Sequence, residues 1–117
     1  VQGSMEPNPQ KYAARFLTKT EIAYCTNALG RLDAKKVAGR IAAKEAVMKV
    51  LGDGWPRVSW LDIEVLPGSK RRPVVTLFGN AHDISLSVGL TAIDISISHD
   101  GGFAIAAAVG ASNWGAE

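Results

Sequence analysis

The stretch "AGRIAAKEAVMKVLG", residues 38–52, decides how the chain folds. At roughly 100° per residue, Val37, Ile41, Val47, Met48 and Leu51 fall on one broad helical face. Lys44 projects from the centre of that face, where an unpaired ammonium is expensive to bury. Glu45 and Lys49 lie at its edge, four residues apart and therefore neighbours on the helix surface. A lysine in that position has either a structural excuse, such as snorkelling past the core edge, or a site to serve.

Working outward, Asp33 caps this helix, which runs to about Leu51 and stops at "GDGWP". Upstream, Thr18 stands three residues before Glu21 in "TKTEIAYCTNALG", a capping box. Ile22, Cys25 and Leu29 continue at helical spacing, and Gly30 is the expected stop. Residues 1–10, "VQGSMEPNPQ", are turn-forming, and "GSM" reads either as a cloning remnant or as a native loop. Downstream, "VSWLDIEVL" alternates Leu61, Ile63 and Val65 against Trp60, Asp62 and Glu64, which predicts a strand. "PGSKRRP" is a turn and "VVTLF" a returning strand. Residues 80–89 form a short helix with Ala81, Ile84 and Val88 inward. "AIDISIS" then alternates with Ile93, Ile95 and Ile97 inward, "HDGG" turns the chain, and "FAIAAAV" returns. The order is two helices, a hairpin, a short helix and a second hairpin. It predicts one α+β domain over residues 1–117, an antiparallel sheet with a long central helix.

Composition sets the outer bounds. The chain has 117 residues, 47% hydrophobic, enough for one core with a modest margin, so oligomerisation is a natural supplement. No apolar run approaches the roughly 20 residues needed to span a bilayer, and no signal-peptide pattern opens the chain. Cys25 is the single cysteine, so no internal disulfide forms and a reducing, cytoplasmic setting is expected. Net charge is +2, but residues 1–54 hold nine Lys/Arg against five acids, and residues 55–117 four against six. The basic half reads as a surface for an anionic partner or as a solvated helix face. Interleaved aromatics, finger spacing and an arginine-rich arm are all lacking, which argues against nucleic acid.

Several chemical motifs are excluded in turn. Ser98, His99 and Asp100 are consecutive at a strand end, so they point in alternating directions and cannot converge as a triad. His99 is either a turn histidine or an exposed donor to an anion. His82 and Cys25 have no partner at metal-ligand spacing, so no zinc site is expected. Glu45 is either half of a surface salt bridge or a ligand for a hard cation such as Mg²⁺, which takes one or two carboxylates with water and phosphate.

Four separated motifs carry the reading further. "RFLTKTEIAYC" is followed by "AGRIAAKEAVMKVLGDG", then "DIEVL" and "SISHDGGFAIAAAV". This order resembles the holo-acyl-carrier-protein synthases, small single-domain 4′-phosphopantetheinyl transferases, over about residues 11–110. The resemblance implies transfer of 4′-phosphopantetheine from coenzyme A to a serine of an apo acyl carrier protein, with Mg²⁺ as cofactor. It also implies a homotrimer with active sites between subunits. By position, Glu45 matches the metal-ligand glutamate, and Lys49 the lysine on the pyrophosphate. Arg40, Lys44 and His99 match coenzyme A-binding positions, while Lys11 and Arg15 fall where basic residues meet the acidic helix of the carrier. Arg72 sits in "PGSKRRP", where the family commonly has glycine before the proline, and either alters the turn or contacts the adenosine phosphates. On this basis Lys44 is expected to serve a site rather than packing. The family's first strand, of "GIDI" type with an aspartate as second metal ligand, has no counterpart in the sequence. The alternative is therefore a non-catalytic module that binds coenzyme A or the carrier.

Overall fold

The computed structural model describes residues 9–112, so the expectations about the first strand and about "GSM" lie outside the described residues. The long helix forms as its caps dictate. Here α1 is Pro9–Ala13, α2 is Lys19–Cys25 and α3 is Ala34–Leu51. The Asp33 side chain accepts from Lys35 N and Lys36 N at one end of α3, and Gly52 N returns to Lys49 and Met48 carbonyls at the other. The capping box of α2 is also present, with Thr18 as N-cap and Glu21 as its third residue.

The structure adds a short helix, α1, ahead of the two expected ones, and two boundaries also differ from the sequence expectation. The second helix ends at Cys25, not Gly30, because the Asn27 side chain accepts from Leu29 N and Arg31 N and folds the chain back. Leu29 is left 79% exposed. The first strand, β1, is only Ile63–Pro67; Trp60–Asp62 is a 3₁₀ turn closed by Ser59 and Asp62 as a second capping box. Leu61 therefore lies outside the core, whereas Ile63 and Val65 are fully buried.

The hairpin is completed by β2, Pro73–Leu77, followed by α4, Gly79–Ser87. Ala81 of α4 is buried as expected, but Val88 is exposed and Ser85 takes the inward place. The second hairpin pairs β3, Leu90–Asp100, with β4, Phe103–Ser112. Its turn residues Gly101 and Gly102 both have positive φ, as a two-residue hairpin turn requires. The expected antiparallel arrangement is present as two separate two-stranded ladders, β1–β2 and β3–β4. The ladder pairings stay within the two hairpins, and Val75–Leu77 and Leu90–Ile93 line a groove between them.

The second hairpin lies along α3, and one glycine makes that approach possible. A Cβ on Gly39 would stand 3.3 Å from both His99 Nε2 and Ile97 Cγ2. The main core joins Ala43, Val47 and Leu51 of α3 to Ile63, Val65 and Ile95. A second cluster of Ala13, Leu17 and Cys25 packs near the start of α3, against Leu32 and Val37. Among the described residues no helix is long and apolar enough to cross a membrane.

Candidate functional site

The inward lysine of α3 is saturated. Lys44 is 0% exposed, and its Nζ donates to Phe16 O at 2.6 Å, Glu21 Oε1 at 2.6 Å and Trp60 O at 2.8 Å. An ammonium has three protons to give, and all three are spent inside the fold. Glu21 is equally committed: Oε1 also accepts from Thr18 N and Oε2 from Val65 N. Burial pushes the Lys44 ammonium below the usual lysine value, and the Glu21 hydrogen bond opposes that shift. Its ammonium therefore has no proton left for a ligand, and these three bonds account for its place in the apolar arc.

The outward pair is different. Glu45 and Lys49 are exposed, and no ion pair joins them to each other or to any other described residue. They line a hollow of about 340 Å³ with Met48 and the turn Gly52–Gly54. Asp53, which the sequence reading did not single out, shares that wall but pairs with Arg57 at 3.4 Å. Lys49 also borders a second hollow against Ala106–Ala108 of β4. A carboxylate and an ammonium one helical turn apart, both unspent, can hold a hard cation and a phosphate together.

Arg40 supplies a third element. It is 7% exposed, and its guanidinium stacks 5.0 Å from the centre of the Tyr24 ring, which also carries Lys36 at 4.6 Å. Its Nε and Nη1 are buried without an acceptor among the described residues. Buried donors without acceptors cost free energy, and an oxyanion would satisfy them. Nothing in the sequence pattern marks Tyr24 as the platform. Nine residues separate Arg40 from Lys49, about half a turn around the helix axis. A single chain therefore presents these two cations on opposite sides of α3.

His99, at the end of β3, closes a hollow with Ala34, Lys35, Ala38 and Gly101–Phe103. Its Nε2 stands 2.8 Å from Lys35 O. A carbonyl only accepts, so Nε2 carries a proton there, and an anion would have to use a protonated Nδ1. Lys11 and Arg15 are exposed around α1, with Arg15 5.6 Å from the centre of the Tyr12 ring. Behind them is an apolar hollow lined by Tyr12, Phe16, Val37 and Ile41 among others. Arg72 is exposed after Lys70 and Arg71, both of positive φ, and lines none of the hollows around α3.

Known proteins resemble this chain in sequence and fold. A holo-[acyl-carrier-protein] synthase of Moorella thermoacetica is 39% identical over 117 residues, covering 100% of this chain and 89% of that protein. The crystal structure of Helicobacter pylori holo-[acyl-carrier-protein] synthase in complex with coenzyme A is also similar. It has a TM-score of 0.75 at 32% identity, over 95% of this chain and 90% of that one. The Bacillus anthracis synthase in complex with CoA (3′,5′-ADP) gives 0.68 at 32% identity, over 89% and 83%. With the sequence model of the 4′-phosphopantetheinyl transferase superfamily matching residues 1–108, the chain belongs to that superfamily.

Proposed function

We infer that this chain is a holo-acyl-carrier-protein synthase. It moves 4′-phosphopantetheine from coenzyme A to a serine of an apo acyl carrier protein and releases 3′,5′-ADP. Family membership supports the reaction class. The observation that carries the site is the Glu45–Lys49 pair, exposed, one turn apart and unspent.

In the reaction the serine oxygen bonds to the β-phosphorus as the bond to the bridging oxygen of the α-phosphate breaks. The serine proton is released to water, and 3′,5′-ADP leaves with the electron pair of the broken P–O bond. Negative charge accumulates on the phosphoryl oxygens and the leaving phosphate, so catalysis is chiefly positioning and charge stabilisation. Lys49 offers three donors to those oxygens. Arg40, with its two unsatisfied groups, and His99 through Nδ1 hold the phosphates of coenzyme A. Arg72, exposed at the hairpin tip and outside the hollows around α3 of its own chain, is offered to the adenosine phosphates in a cleft shared with another copy. Lys11 and Arg15 meet the acidic helix of the carrier.

The donor set fits Mg²⁺. Glu45 is a hard oxygen ligand with no ion pair to another described residue, and it shares its hollow with Lys49 and Asp53. That suits an ion which takes few protein ligands and completes its shell with phosphate and water. When bound, the ion neutralises charge on the pyrophosphate.

The assembly in this reading is a cytoplasmic homotrimer of one-domain subunits, residues 1–117, with sites between copies. Two features support it. Arg40 and Lys49 point to opposite sides of α3, so two subunits can furnish both to one cleft. On β4, Phe103, Ile105 and Val109 are 74%, 59% and 70% exposed in a row on one face of an edge strand, an apolar stripe that a second copy would cover. Sedimentation should give three subunits at micromolar concentration; a stable monomer there removes the trimer.

Asp53 is engaged with Arg57, which leaves Glu45 as the uncommitted carboxylate of that hollow among the described residues. This favours one second reading, a module that binds coenzyme A or the carrier without transfer. Mass spectrometry separates the two. After incubation with apo carrier protein, coenzyme A and Mg²⁺, the carrier should gain one phosphopantetheine. Coenzyme A binding without that gain would establish the module.

A further inference from the structure

We propose that Glu21 and Lys44 are positioning residues for the carrier protein, forming a buried clamp that holds the docking segment in register with α3. The inference rests on the transferase reading and concerns how that site is held together.

The geometry is specific. Lys44 belongs to α3 and directly precedes Glu45, so whatever fixes its ammonium fixes the rotation of that turn. One of its three bonds goes to Phe16 O, in the turn following α1, just after Arg15. That bond is a direct tie between the exposed cations of the docking segment and the helix that carries Glu45 and Lys49. A second bond goes to Trp60 O, ahead of β1, and the Trp60 ring meets Phe16 edge-on at 5.6 Å. The third goes to Glu21, whose far oxygen accepts from Val65 N of β1. Thr18, the cap of α2, donates in turn to Glu64 Oε2 at 2.7 Å. One ammonium and one carboxylate thus read α1, α2, α3 and β1 simultaneously.

Apolar packing supplies no such registry. Side chains slide and repack at small cost, whereas a buried cation accepts only the geometry that satisfies all its protons. Removing one member alone would strand a buried charge. The informative variant therefore removes both charges, Glu21→Gln with Lys44→Met. The amide of the Glu21→Gln substitution can still accept from Val65 N or Thr18 N and donate to Phe16 O. One of the two main-chain N–H groups thus keeps its acceptor and the other loses it, while the rigid three-way bond is gone.

In steady-state transfer, the KM for apo carrier should rise about tenfold while the KM for coenzyme A stays within twofold, the size expected for loss of coupling between two packed elements. A folded double variant with an unchanged carrier KM overturns the proposal. A purely structural role would lower the melting temperature without that split between substrates. Should the wild type bind both substrates and transfer nothing, the transferase reading fails; the same comparison is then made on the dissociation constant for the carrier. Should the double variant not fold, amide exchange on the wild type decides. Residues 13–17 should open only together with α3 and β1, and separate opening at lower free energy overturns the clamp.

Discussion

Lys44 and Lys49 stand five residues apart on one helix and meet opposite fates. The first is sealed, its three protons given to a carboxylate and two carbonyls. The second is exposed beside an exposed carboxylate, and neither has an ion-pair partner among the described residues. The difference teaches what a site costs. A stable core spends every buried donor, as Lys44 does, whereas a surface meant for a charged ligand leaves donors and acceptors unspent. Arg40 is the intermediate case, buried like Lys44 yet with two N–H groups unsatisfied like a site residue.

The largest effect is expected on the sealed side. Lys44→Met strands the Glu21 carboxylate and should cost about 3–5 kcal/mol of unfolding free energy, as breaking a buried pair by removing one partner does. Lys49→Met, at an exposed position, should stay within about 0.5 kcal/mol. Urea titration of both variants measures the contrast. Equal losses would mean that Lys49 is held in the fold after all.

Much of this contrast was legible in the sequence. Asp33 and Gly52 bound α3 because capping is local chemistry, read from residues within one turn of each other. The Glu45–Lys49 spacing is local too. Glu21 shows where such reading stops. Its capping box explains it completely at short range, and so conceals that its carboxylate also receives Lys44, 23 residues on, and Val65 N, 44 residues on. Leu61 failed for the converse reason. Ser59 and Asp62 carry a capping signal at the right spacing, but the alternation of apolar residues spoke louder than the turn it enclosed. The half-turn between Arg40 and Lys49 follows from nine residues of helix, yet matching both to one motif treats them as a single cluster. That one chain splits them is a fact of helix geometry which motif order does not express.

The next effect is on the unspent side. Glu45→Gln keeps shape and removes charge, so transfer should fall about a hundredfold to a thousandfold, the range for losing one electrostatic contact to a phosphoryl or oxyanion transition state. Its melting temperature should match that of the wild type. Retained turnover with raised Mg²⁺ affinity or none lost would remove Glu45 from the metal's ligands and return it to the solvated surface.

The smallest effect probes Arg40 through its neighbour Cys25. Burial raises the Cys25 thiol above its usual 9.0, and the Arg40 charge works against that rise. A thiol whose folded pKa is raised binds its proton more tightly in the native state. Its contribution to stability is therefore complete below pH 9.0 and is lost as pH climbs through the folded value. Cys25→Ala should flatten that alkaline decline, with a pH-independent cost for the cavity it leaves in the buried cluster. The same thiol then reports on the ligand. If a phosphate of 3′,5′-ADP docks on the two free N–H groups of Arg40, it offsets the positive charge that restrains Cys25, and the thiol should titrate higher still. Thiolate absorbance followed against pH, with and without 3′,5′-ADP, reads this directly in the intact protein. A titration unmoved by saturating 3′,5′-ADP would place the phosphates away from Arg40 and leave its buried donors a packing defect, making it kin to Lys44 rather than to Lys49.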